Sequence, residues 1–199
     1  MPPYRYRDLT AEQQVDAVRD RLDRGHPAHE PPHPDQGTGW YFITAACFEH
    51  RRRFEQPAEL AALAFRLGEA LRGAGYGCGG WVVLPNHYHL LVHAPALTGF
   101  GRVLGRVHAR SAAYANERDG TPGRQVWYRY SDRKVRSERH FGACLHYLFL
   151  NPVKHGYVDD PRSWRWSSLG EWLSRNGEQR FVDLQENYPL REFGRGWDD

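Results

Sequence analysis

Pro85-Asn86-His87-Tyr88-His89-Leu90-Leu91-Val92 is the stretch on which the reading of this chain turns. It sets two histidines two positions apart in a run that otherwise has the apolar character of a buried strand. Side chains alternate along a strand, so His87 and His89 share one face, roughly 6–7 Å apart. Two imidazoles on one face make half of a metal site. Further along, Tyr147 and Asn151 stand four apart in a helical pattern that reaches Pro152. That spacing also places two polar groups on one face. A candidate nucleophile and a candidate ligand on one helix, with a His pair on one strand, point to metal-assisted phosphoryl transfer.

The chemistry follows from the residue types. A divalent cation held by His87, His89 and one side-chain oxygen keeps positions open for a phosphodiester oxygen, and it would neutralise charge developing on phosphorus. Neutral imidazoles and an amide oxygen leave the ion its full charge, which suits Mg²⁺ or Mn²⁺, while histidine also suits Zn²⁺. A tyrosine phenol ordinarily titrates near about 10, and a nearby cation favours the phenolate. Its attack would leave a covalent phosphotyrosine that conserves the bond energy for rejoining. Each feature alone is more often structural: an HxH in a strand, a tyrosine among leucines, and Asn-Pro as a helix stop.

Composition sets wide bounds. The chain has 199 residues, 40% of them hydrophobic, enough for one domain with a sizeable core. A net charge of +3 and a pI near 8.8 permit a nucleic-acid partner without demanding one. Lys134 and Lys154 are the only lysines, so the positive charge is almost all arginine. Arginine suits phosphates and stacked bases, although a GC-rich genome would give the same bias. Cys47, Cys78 and Cys144 are isolated and lack CxxC spacing, which predicts a reduced, cytoplasmic protein without a Cys-based zinc site. No stretch approaches the about 20 apolar residues of a membrane span.

The periodicities give an element order. Thr10 to Gly25 reads as a helix with a Thr10/Gln13 capping box, followed by a Pro/His-rich linker containing His26, His29 and His33. A strand is expected over Trp40–Cys47, a helix over Pro57–Gly73, a glycine-rich connection over Gly75–Gly80, and strands over Trp81–Leu84 and His87–His93. A helix over Thr98–Arg118, a short edge strand over Val126–Tyr130 and a helix over Ser137–Leu150 complete the set. Strand–helix–strand–strand–helix–strand–helix is the order of an α+β, ferredoxin-like antiparallel sheet. Such a sheet would centre His87 and His89 and let the last helix bring Tyr147 to them. The Arg51-Arg52-Arg53 triplet and the stripe Arg102, Arg106 and Arg110 are the candidate DNA-binding groups; either also reads as an ordinary solvated surface. Residues 1–38 are taken as helix and linker, 39–175 as the main domain and 176–199 as a C-terminal extension.

Together these segments resemble one family. Pro85–Val92 is similar to the His-hydrophobic-His motif of single-tyrosine HUH transposases. His146–Val158, HYLFLNPVKHGYV, resembles the tyrosine segment of the REP-associated tyrosine transposases, linked to repetitive extragenic palindromes. Gly39–Phe54 is similar in style to the family's first strand, and Trp164-Arg165-Trp166-Ser167-Ser168 to its aromatic-Ser-Ser ending. The resemblance spans roughly Gly39 to Leu173. It implies the HUH endonuclease fold, Tyr147 as nucleophile and Asn151 as third metal ligand beside His87 and His89. It further implies single-stranded or hairpin DNA as partner and a monomer working in cis rather than a homodimer. Val126–Tyr130 departs from the family's usual Trp-Gln-Arg, and the helix start at His140-Phe141 departs from its acidic pattern, so recognition of the DNA could differ.

The function expected is a metal-dependent single-strand DNA endonuclease and strand transferase working through a 5′-phosphotyrosine. The alternatives are a domesticated nucleic-acid-binding protein that no longer cleaves, and a small metal-dependent hydrolase with Tyr147 merely packed.

Overall fold

The computed structural model describes residues 37–190, together with 10, 12, 13, 16, 19, 193 and 194. The expected N-terminal helix and its linker fall mostly outside the described residues. Within them the Thr10/Gln13 pair is reciprocal: each backbone N–H donates to the other's side-chain oxygen, at 2.9 and 3.3 Å.

Four strands form one antiparallel sheet in the order β2-β3-β1-β4. They are β1 (Gly39–Ala46), β2 (Gly77–Val83), β3 (His87–Ala94) and β4 (Ser131–Lys134). This is the expected ferredoxin-like arrangement, with the histidine strand β3 in the interior of the sheet, paired with β1 and β2. Helix α1 (Pro57–Gly73) starts at a Gln56/Glu59 capping box with Pro57 in its first turn. It buries Leu60, Leu63, Leu67 and Leu71, a stripe at helical spacing. Each fully buried leucine contributes about 1.5–3 kcal/mol. Helix α2 (Phe100–Arg118) buries Phe100, Val103, Leu104 and Val107, and it packs beside α1. Tyr88 points from β3 to this side, where its hydroxyl meets His108 Nε2 at 2.8 Å.

Helix α3 (Glu138–Lys154) crosses the opposite face of the sheet. Ser137 caps it, its Oγ accepting the His140 N–H at 3.1 Å. The close approach of α3 to β2 depends on glycine: a Cβ on Gly80 would come within 2.9 Å of Leu145 Cδ1. The expected glycine-rich connection over Gly75–Gly80 is therefore partly strand, with a bulge between Cys78 and Gly80. Two short helices, α4 (Leu169–Asn176) and α5 (Glu178–Asn187), follow, and Phe181 of α5 packs on Phe149 of α3.

Two other expectations shift. The edge strand is Ser131–Lys134 rather than Val126–Tyr130. Val126, Trp127 and Tyr130 are buried instead, and the Trp127 indole N–H donates to Ser111 Oγ at 3.0 Å. That burial takes them out of a regular ladder and leaves the polar SDRK segment as a charged edge. Helix α3 also runs through Pro152 to Lys154 instead of stopping near Leu150. It ends where the Gly156 N–H donates to Val153 O and the Tyr157 N–H to Pro152 O, both at 2.9 Å. Gly156 there takes a left-handed φ of 68°. The Trp164–Ser168 stretch runs along the free edge of β2: the Val83 N–H donates to Trp166 O, and the Trp81 N–H to Ser168 Oγ. No helix among the described residues is long and apolar enough to cross a membrane.

Candidate active site

The face of the sheet beneath α3 gathers the residues that the sequence singled out. His87 and His89 have ring centroids 5.0 Å apart, and both are buried. Because α3 continues past Pro152, Asn151 keeps its place one turn beyond Tyr147. Asn151 Oδ1 lies 2.9 Å from His87 Nε2. The Tyr147 ring stands edge-on to His89, with centroids 5.4 Å apart, and Phe42 stacks on the same imidazole at 5.2 Å.

Each imidazole is held from behind. Asn86 Nδ2 donates to His50 O at 3.3 Å, so Asn86 Oδ1 is the acceptor turned to His87 Nδ1, 2.8 Å away. With its proton on Nδ1, His87 presents a lone pair at Nε2. Thr44 lies opposite His89 across the β1–β3 ladder, and its Oγ1 is 2.9 Å from His89 Nδ1. Such outer partners fix ring orientation in metal-ligating histidines.

The donor set fits a hard divalent ion. His87 Nε2 and Asn151 Oδ1 are both acceptors, facing each other at 2.9 Å. Two donors on adjacent vertices of an octahedron of ~2.1 Å radius stand ~3.0 Å apart. Among the described residues no cluster of three or more His, Cys, Asp or Glu side chains could hold a metal. A site here would thus use two imidazoles and an amide.

Several neighbours were not singled out from the sequence. Lys154 Nζ lies 3.0 Å from the Tyr147 hydroxyl. The His155 ring is edge-on to His87, with centroids 4.8 Å apart. Phe193 stands against the Tyr147 ring, and a Cβ on Gly194 would run into that ring. Tyr147 is 1% exposed beneath them. Thr44 and Asn86 carried no signal beyond their places beside the His pair.

The two arginine groups are separated. A short helical turn at Phe48–His50, in which Glu49 and His50 take φ of 56° and 50°, folds Arg51–Arg53 back toward the β2–β3 turn. The Arg53 N–H donates to Pro85 O at 2.9 Å, which ties the triplet's backbone to that turn; the Arg52 guanidinium pairs with Glu55 and lies over the Tyr157 ring, while Arg53 faces Cys47, Asp119 and Arg124. Arg102, Arg106 and Arg110 are exposed on α2, across the sheet from Tyr147. His93, at the far end of β3, packs edge-on against Trp40. A groove of about 750 Å³, lined by Trp40, Phe141, Trp172 and Tyr188 among others, flanks the first turns of α3. Cys47 and Cys144 are buried, and burial pushes the Cys144 thiol up to about 12, which removes it as a nucleophile at neutral pH.

An antiparallel βαββαβ sheet with a tyrosine helix laid over a strand-borne His pair is the HUH fold. The comparisons narrow the class. The chain is 21% identical over 145 residues to the REP-associated tyrosine transposase of Escherichia coli (strain K12), a match covering 70% of this chain and 81% of that protein. It is 28% identical over 100 residues to a second protein of that designation from Haemophilus influenzae, covering 44% and 55%. A solved structure of a REP-associated tyrosine transposase bound to a REP hairpin shares the fold, with a TM-score of 0.59 at 20% identity over 73% of this chain and 86% of that one. These relatives bear out the resemblance to REP-associated tyrosine transposases read from the motifs. No protein-family model matches the chain.

Proposed function

We propose that the protein is a metal-dependent single-strand endonuclease and strand transferase that acts on hairpin-forming repetitive DNA through a 5′-phosphotyrosine. The observation that carries this reading is the gathering of Tyr147, His87, His89 and Asn151 under α3, from two elements far apart in sequence. The relative solved with a REP hairpin supports DNA of that shape as the substrate.

Tyr147 is the nucleophile. Its ring is held edge-on by His89 and by Phe42, which restricts the phenol to one approach. His87, His89 and Asn151 would hold one Mg²⁺ or Mn²⁺ ion, which when bound supplies positive charge for the scissile phosphate. Asn86 and Thr44 keep the two imidazoles turned toward that position. Arg51 and Arg52 follow the segment held to the β2–β3 turn, with Arg52 over the Tyr157 ring, and suit the backbone of the bound strand. Tyr147 reaches the His pair within one chain, which supports a monomer working in cis.

A second reading, a nucleic-acid-binding protein without productive cleavage, draws on the burial of Tyr147 beneath Phe193 and Gly194. The two are separated by incubating the protein with a labelled hairpin carrying a single-stranded flank, in Mn²⁺, and running a denaturing gel. A covalent protein–DNA band supports the nuclease. A shifted native band with no covalent product supports the binder.

A further inference from the structure

We propose that Lys154 is a further catalytic residue, its ammonium group binding the scissile phosphate as Tyr147 attacks it. The proposal rests on the nuclease reading above. Lys154 stands in the last turn of α3, seven positions after Tyr147 and three after Asn151, so all three lie along one stripe of the helix. Its Nζ is 3.0 Å from the Tyr147 hydroxyl oxygen and 4.8 Å from the ring centroid. The residue type is itself uncommon here. Among 27 basic residues only two are lysines, and the other, Lys134, lies over the Tyr41 ring. An ammonium has three rotatable donors, so it can hold the phenol oxygen and a second acceptor together.

The structure contains such a second acceptor. The Gly194 carbonyl oxygen lies 3.4 Å from Lys154 Nζ and 3.4 Å from the Tyr147 hydroxyl. An oxygen within reach of both groups marks where a non-bridging phosphate oxygen would stand once phosphorus is in line with the phenol. In the step itself, the Tyr147 oxygen forms a bond to phosphorus and the bond from phosphorus to the 3′ oxygen breaks. The phenol proton passes to water, and the departing 3′ oxygen takes one from water to end as a hydroxyl. One phosphodiester replaces another with no change in oxidation state. Charge spreads over the phosphoryl oxygens in the transition state, and a fixed cation beside them lowers its energy.

The test follows the covalent adduct under single-turnover conditions, with saturating hairpin DNA and Mn²⁺, for wild type, Lys154→Met, Lys154→Gln and Lys154→Arg. Hairpin affinity by fluorescence anisotropy and thermal melting are measured beside it. The two neutral variants are expected to slow adduct formation by about ten- to a hundredfold. Affinity should stay within about twofold, because one phosphate contact among many is lost. Lys154→Arg should recover much of the rate, since it keeps the charge. Neutral variants that react at the wild-type rate, or an arginine variant as slow as methionine, would overturn the role of Lys154 while leaving the nuclease reading intact. Absence of any adduct in the wild type would overturn both.

Discussion

Asn151 Oδ1 lies 2.9 Å from His87 Nε2, joining residues 64 positions apart. The contact exists because α3 does not stop at Pro152. A proline inside a helix forgoes a backbone hydrogen bond and crowds the preceding turn, at a cost of about 3 kcal/mol. Here the helix is held by the burial of Tyr147, Leu148 and Phe149 and by the Gly156 cap, which keep Asn151 helical and on the same face as Tyr147.

Metal binding should depend on this contact. In a calorimetric titration with Mn²⁺, His87→Ala and His89→Ala are each expected to weaken binding at least about tenfold, and Asn151→Ala less. Unchanged affinity in the double histidine variant would rule the site out.

The two arginine groups should behave differently. Replacing Arg51 and Arg52 with alanine is expected to weaken hairpin binding, reduce its salt slope by up to about 2 and slow cleavage, because they follow the segment held to the β2–β3 turn. Replacing Arg102, Arg106 and Arg110 should leave cleavage at saturating DNA unchanged, because α2 lies across the sheet from Tyr147. Anisotropy over a salt series, with cleavage rates at saturation, checks both; a slower reaction in the α2 variant would contradict this placement.

Much of the fold was legible because it rests on side-chain period. The alternation at His87–Val92 gave strand and face, and the leucines from Leu60 to Leu71 gave α1 over Pro57–Gly73 as observed. Glycine has no side chain to show a period, so β2 began earlier than expected, at Gly77. Pro152 misled in a more consequential way. Reading Asn-Pro as a stop put Lys154 outside the helix, and its place seven positions after Tyr147 lost its meaning. The Gly194 contact spans 47 positions and has no local signature at all.

The edge of β2 should be sensitive to one hydroxyl. Ser168 Oγ accepts the Trp81 N–H at 2.8 Å and donates to Trp81 O at 3.2 Å. Ser168→Ala is expected to cost about 1–2 kcal/mol in urea unfolding at pH 7. A change below about 0.3 kcal/mol would show that the Trp164–Ser168 stretch does not hold this edge.

Acid should destabilise the fold through His108. Burial against Trp127 and Tyr88 lowers its pKa from 6.5 to about 4. The folded state thus favours the neutral ring, and the unfolded chain binds more protons between pH 6.5 and 4. His108 stabilises the fold fully above pH 6.5, and that contribution falls away as pH drops toward 4, by up to about 3 kcal/mol. Unfolding free energies measured from pH 7 to pH 4 should fall less steeply in His108→Gln. Parallel curves for the variant and the wild type would contradict this assignment.

The central claim is tested most directly by finding the atom that carries the DNA. Trypsin cuts after Arg139 and Lys154, releasing a peptide in which Tyr147 is the only tyrosine. After reaction with a hairpin in Mn²⁺ and nuclease trimming, mass spectrometry is expected to find a phosphonucleotide on Tyr147, and none in Tyr147→Phe. A phosphonucleotide on any other residue, or an adduct that persists in Tyr147→Phe, would contradict the account.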